Sequence, residues 1–204
     1  MTRISPRTAE DLIEQGLTAS RAGSVEQAIS LFKEAAAAAP QSGIPPFLLA
    51  AELAQSGHTD EAEAAYATAV LLAPELHMAR YQLGLVQFTG NRPAIALLTW
   101  EPLLHLPAES PLPSVVKGFA SLAQDDFAAA SAQFKQAIAL NHDNDALTKD
   151  MQMMLHRIAA LGAPAPGPTA ANGESTPPEQ LKEQVEDGAL HVLLTNYQQQ
   201  GPLH

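Results

Sequence analysis

The sequence contains no cysteine, which excludes disulfides, thiolate nucleophiles and cysteine-ligated metals. Aromatic residues make up only 5% of the chain and charged residues 16%. The β-branched and aromatic residues that sheets favour are sparse. No uncharged apolar run approaches the roughly 18 residues of a membrane span. Residues Met1 to Asp11 are polar, carry Arg3 and Arg7, and lack the apolar stretch of a signal peptide. A cytoplasmic protein without membrane insertion is therefore expected. Basic residues are few, 11 Lys and Arg against 22 Asp and Glu, a formal net charge of −11. That charge repels phosphates, so no nucleic-acid partner is expected.

Motifs of catalysis are missing as well. There is no Gly-rich phosphate loop, no His-Glu-x-x-His pair and no Gly-x-Ser-x-Gly elbow. The seven histidines are scattered along the chain. Asp143-Asn144-Asp145 lacks the glycine and glutamate that a calcium loop needs, and Asp143 or Asn144 is better read as a helix cap. No catalytic residue, metal site or cofactor is expected, and the chain is read as non-enzymatic.

What the sequence does have is apolar content, 46%, with heavy use of alanine, and a repeat. Ala28, Phe32, Ala35 and Pro40 recur 34 residues later as Ala62, Tyr66, Ala69 and Pro74. Further shifts give Ala96, Trp100, Leu103 and Ala108, then Ala130, Phe134, Ala137 and His142. The same period relates Gly16, Ala50, Gly84 and Gly118. Small residues recur where two helices must approach closely, and a large aromatic recurs where a gap must be filled. Each unit reads as two helices joined by a turn, at Gly23, Gly57, Gly90-Asn91 and Asp125 or Asp126. Ser24 with Gln27 predicts a capping box, and Thr59 or Asp60 a second cap.

These series resemble the tetratricopeptide repeat over roughly residues 9–144. The resemblance implies an all-α, right-handed α-solenoid of about four tetratricopeptide-like helix pairs plus a capping helix. Pro102 falls inside the second helix of the third unit, where it predicts a kink or an early stop. Residues 145–161 read as the capping helix, with Leu147, Met151, Met154, Leu155, Ile158 and Leu161 on one face. The expected organisation is a repeat domain over 1–161, a flexible Pro/Gly-rich linker over 162–178 and an apolar helical tail over 179–204.

In this family the first helices of the units line a concave groove. Its inward positions map here onto Ile13, Phe47, Tyr81, Leu85, Phe88, Val115 and Phe119. Some of these, Phe47 and Tyr81 above all, read equally well as inter-repeat core. The set is apolar and lacks the Lys, Arg and Asn of members that clamp acidic C-termini. It suits an amphipathic or apolar peptide. One candidate is the chain's own tail, through Leu190, Val192, Leu193, Leu194 and Tyr197. The function expected is a protein-binding scaffold or adaptor, chaperone-like, in a bacterial secretion, pilus or envelope polysaccharide assembly. The alternative is a self-assembling structural protein that dimerises through its tail.

Overall fold

A computed structural model describes residues 7–162. The linker beyond Gly162 and the tail residues Leu190, Val192, Leu193, Leu194 and Tyr197 lie outside the described residues. Among the described residues the structure is all-α, nine helices and no strand. They fall into two compact units that divide between Pro102 and Leu103. Unit 1 holds α1 (Ala9–Arg21), α2 (Val25–Ala38), α3 (Ile44–Gln55), α4 (Thr59–Leu72), α5 (His77–Thr89) and α6 (Pro93–Trp100). Unit 2 holds α7 (Leu112–Leu122), α8 (Phe127–Leu140) and α9 (Asp145–Gly162).

The helices pair in chain order, α1 with α2, α3 with α4, α5 with α6 and α7 with α8. Within unit 1, α2 also packs on α3 and α4 on α5; within unit 2, α9 packs on α8. In three pairs a glycine and an aromatic make the closest approach. A Cβ on Gly16 would lie 2.6 Å from the ring of Phe32, and Gly84 and Gly118 meet Trp100 and Phe134 in the same way. Phe32, Trp100 and Phe134 are fully buried as a result. Trp100 also donates its indole N–H to the Tyr81 carbonyl at 2.8 Å, which satisfies the one polar atom its burial would otherwise strand.

The turn inside each pair repeats to the residue. Gly23, Gly57, Asn91 and Asp125 all have positive φ, between 57° and 77°. Glycine, asparagine and aspartate tolerate that left-handed conformation best. The residue after each closes the preceding helix from its backbone amide: Ser24 to Ala19, His58 to Leu53, Arg92 to Gln87 and Asp126 to Ser121, at 2.8–3.0 Å. This is the Schellman closure of a helix C-terminus.

The caps differ from expectation in part. Ser24 precedes α2 but its hydroxyl caps nothing, and α4 starts after His58, with Thr59 and Asp60 already inside the helix. The Schellman turn leaves Ser24 at ψ 71°, short of the extended backbone that points a hydroxyl at the third amide. Asp126 has nearly the same ψ, 77°, yet caps α8 by accepting from Ala129 N–H, because its carboxylate reaches one bond further. Asn144 accepts from Leu147 N–H at 2.9 Å at the start of α9. Thr8 and Asp11 form a reciprocal capping box on α1 that the sequence reading overlooked.

Pro102 acts as expected. It sits in the 3-10 turn Glu101–His105, and α6 ends after 8 residues where α2, α4 and α8 each run 14. Without an amide hydrogen Pro102 cannot continue the helical ladder, and its ring crowds the preceding turn. In α9, Leu147, Met151 and Ile158 are buried, with Met154 and Leu155 half-buried beside them.

Candidate functional site

First and second helices are buried in different ways. Each second helix buries a narrow stripe: Ala62, Tyr66 and Ala69 in α4, Ala96 and Trp100 in α6, Ala130, Phe134 and Ala137 in α8. The first helices α3, α5 and α7 are enclosed far more completely. In α5 every residue from Tyr81 to Gln87 is buried, and in α3 Pro45–Leu48 and Ala50–Ala54 are. Seven consecutive residues are nearly two turns and so point in every direction around the helix axis.

The seven residues expected to line a groove divide accordingly. Phe47, Tyr81, Leu85, Val115 and Phe119 are buried, while Ile13 and Phe88 are half-buried. The buried aromatics serve the pairing of helices. The Phe47 ring lies 6.1 Å from Tyr66, Tyr81 stacks on Trp100 at 6.2 Å and Phe119 meets Phe134 edge-on at 5.3 Å. Phe88 stacks on the same indole at 5.9 Å. Five of the seven side chains are thus buried, three of them in ring contacts within a helix pair. Residues that point inward along a first helix also face its partner helix, because an aromatic side chain is wide enough to do both.

Sequence reasoning passed over the buried polar residues. Gln82 in α5 is fully buried, and neither its amide oxygen nor its nitrogen has a partner among the described residues. In α3, Glu52 is 2% exposed; burial raises its carboxyl above the usual carboxylate range, a Ser20 hydrogen bond opposes that, and Oε2 is unpaired. In unit 2, Asp150 of α9 is buried with both oxygens unpaired, and burial pushes it up to about 8. Gln82 and Asp150 occupy one repeat position, two periods of 34 apart, with Val116 between them and Leu48 one period earlier. A polar residue inside an apolar helix, in register with Leu48, was the signal available.

A fourth polar group is joined by hydrogen bonds and acts as a strut. Arg92 grips Glu63 through two hydrogen bonds of 3.0 and 2.6 Å, Gln87 donates to Glu63 at 3.3 Å and Thr99 donates to Gln87 at 2.7 Å. The chain of bonds ties α4, α5, α6 and the residue before α6 to one another, and the Arg92 hydrogen bonds hold the Glu63 carboxyl below its usual range. Among the described residues no three His, Cys, Asp or Glu side chains gather as metal ligands, and no helix is long and apolar enough to cross a membrane.

The repeat geometry has counterparts among solved structures. One chain of the APC/C hetero-tetramer Cut9–Hcn1 superposes with a TM-score of 0.65 at 18% identity, over 94% of this chain. This chain spans only 33% of that one. The fold is that of the tetratricopeptide repeat. PilF of Pseudomonas aeruginosa is similar with a TM-score of 0.57 at 18% identity, covering 93% of this chain and 90% of its own. MamA from Desulfovibrio magneticus RS-1 gives 0.55 at 16% identity, covering 95% and 97%. No family profile and no curated protein matches the sequence.

Proposed function

We propose that the protein is a non-enzymatic interaction scaffold whose first helices hold an apolar or amphipathic peptide. One observation carries the reading. The Gln82 amide of α5, buried between the buried residues Tyr81 and Leu83, has one acceptor and two donor hydrogens with no partner among the described residues. A peptide backbone supplies both complements. The acidic, alanine-rich composition supports a chaperone-like adaptor in the bacterial cytoplasm, serving a secretion, pilus or envelope polysaccharide assembly.

The test is amide exchange in the full chain titrated with amphipathic helical peptides of 15–20 residues. The expected result is protection of α3 and α5, weakened at least tenfold by Met78→Glu, which alters a half-buried side chain on α5 without opening the core. Protection confined to other helices, or none at millimolar peptide, sinks the reading.

A further inference from the structure

We propose that unit 1 carries a second docking surface, on the outward faces of its second helices α4 and α6, for a partner's amphipathic helix whose apolar stripe is flanked by Lys or Arg. It is separate from the first-helix face and does not depend on it. Among the described residues of unit 1, three large apolar side chains stand in solvent: Leu71 is 79% exposed, Leu98 76% and Ile95 45%. The repeat shows that the fold does not require them. The positions equivalent to Leu71 hold Ala37, His105 and Ala139, and those equivalent to Leu98 hold Ser30, Ala64 and Ala132. Alanine or a polar residue thus serves every other helix pair at these places. Large apolar side chains gathered on one exposed face mark an interaction site.

The exposed residues form stripes. On α4, Ala64, Ala67, Thr68 and Leu71 are exposed and follow the i, i+3, i+4, i+7 spacing of one helical face. On α6 the exposed residues are Ala94, Ile95 and Leu98. Leu98 stands one period of 34 after Ala64, so the two stripes face the same side of the unit. Arg92 bonds the start of α6 to Glu63 of α4, and Thr99, next to Leu98, is linked to the same Glu63 through Gln87. These bonds hold the stripes in place before any partner arrives, which lowers the ordering cost of binding.

Charge selects the occupant. α4 carries Asp60, Glu61 and Glu63 and no base, and α6 carries no charge at all. Exposed Glu61 opens the α4 stripe three residues before Ala64, and exposed Glu75 follows the end of the helix. The α4 stripe from Glu61 to Leu71 is about 15 Å long, apolar along its length with acids before and after. A second copy would set acid against acid, and an anionic membrane is repelled in the same way. An aliphatic stripe with Lys or Arg on its flanks matches both features. Such rim pairs steer association and choose the partner more than they add affinity.

The probe is a fluorescent synthetic helix of about 18 residues, with leucines at i, i+4, i+7 and i+11 and lysines on both flanks. Its counterpart carries glutamate for every lysine. Fluorescence anisotropy reads both against the full chain carrying Met78→Glu, which disables the first-helix face. The lysine probe should bind with a Kd on the order of micromolar, at least tenfold tighter than the glutamate probe. Adding Leu71→Gln with Leu98→Gln should weaken it at least tenfold. Both side chains are more than three-quarters exposed, so the melting temperature should not move. Ala132→Gln, at the equivalent place in unit 2, is the control and leaves binding unchanged. Equal affinity in the double leucine variant, or for the two probes, overturns the proposal. If the lysine probe binds the wild type but not the Met78→Glu chain, it sits on the first helices: that reading stands and this one falls. No binding to either chain at millimolar probe overturns it as well. So does a mass that doubles with concentration unless both leucines are replaced, which assigns the face to a second copy. Pelleting with phosphatidylcholine vesicles that the leucine replacements abolish assigns it to a membrane and is equally fatal.

Discussion

Asp150 contributes a pH dependence whose sign and site follow from its burial in α9. Its carboxyl has an ordinary value of 3.8 and is pushed up to about 8 by burial in α9. Between those values the unfolded chain loses the proton and the folded chain keeps it. The folded state therefore binds more protons, and stability falls as pH rises through that window, by about 1.4 kcal/mol per pH unit for a full shift. Relaxation and water entry reduce the effect, and half of it leaves a loss of roughly 2–3 kcal/mol between pH 4 and pH 8. Asp150→Asn keeps the shape and removes the titration. The variant should melt with the wild type at pH 4 and be more stable by about 2–3 kcal/mol at pH 8. Thermal unfolding followed by circular dichroism, with amide exchange of α8 and α9 to localise it, reads the difference. A stabilisation that is the same at both pH values would show that Asp150 titrates alike in the folded and unfolded chain, and one that shrinks as pH rises would show that it is ionised and paired in the folded state; either result refutes the reasoning.

Other perturbations separate geometry from chemistry. Gly84→Ala drives a Cβ into the Trp100 indole and should cost about 1–3 kcal/mol in denaturant unfolding, the range for overpacked cores; a neutral result would mean the α5–α6 approach is loose. Gly23→Ala meets no atom within 4 Å, so its expected cost of about 1 kcal/mol is due to its φ of +73° alone, and Gly57→Asn should cost less than Gly57→Ala. Tyr66→Phe removes a buried hydroxyl that bonds nothing among the described residues, and should stabilise unit 1 by about 1 kcal/mol in the same denaturant titration. Glu63→Gln breaks the bidentate grip of Arg92. Screening at this partly solvated pair holds the loss to about 1 kcal/mol at pH 7. Because Arg92 depresses the Glu63 carboxyl, that loss should vanish as pH falls below the ordinary carboxylate range.

The parts of the fold that were legible in the sequence are those enforced locally in every unit. The Gly16–Phe32, Gly84–Trp100 and Gly118–Phe134 pairs announce themselves because one small and one large residue must recur at fixed separation for two helices to touch. The left-handed turn at residues 23, 57, 91 and 125 is legible because so few residue types tolerate it. Pro102 is legible because the loss of an amide hydrogen has the same effect in any helix. Caps were less so: Ser24 fits the pattern, but the ψ imposed by the turn before it decides whether its hydroxyl can reach. The groove was least legible. Phe47 and Tyr81 satisfy an inward-facing pattern and a helix-pairing pattern at once, and only the rings of Tyr66 and Trp100 beside them reveal the second.

That ambiguity separates two kinds of repeat position. A position that repeats its chemistry every 34 residues, such as the small residue facing the aromatic, answers to the helix pair. The position held by Leu48, Gln82, Val116 and Asp150 does the opposite: its chemistry changes in each unit, although all four side chains are buried. Helix pairing alone would be served by an apolar residue at every turn of the repeat, and a buried glutamine or aspartate without a partner is a cost that leucine would avoid. Replacing Gln82 with leucine should therefore stabilise the bare repeats and weaken whatever they hold. Exchange in α5 with and without bound peptide measures both effects in one sample. If Gln82→Leu leaves peptide affinity unchanged, the amide plays no part in recognition, and binding must rest on the half-buried apolar residues Ile13, Met78 and Phe88 instead.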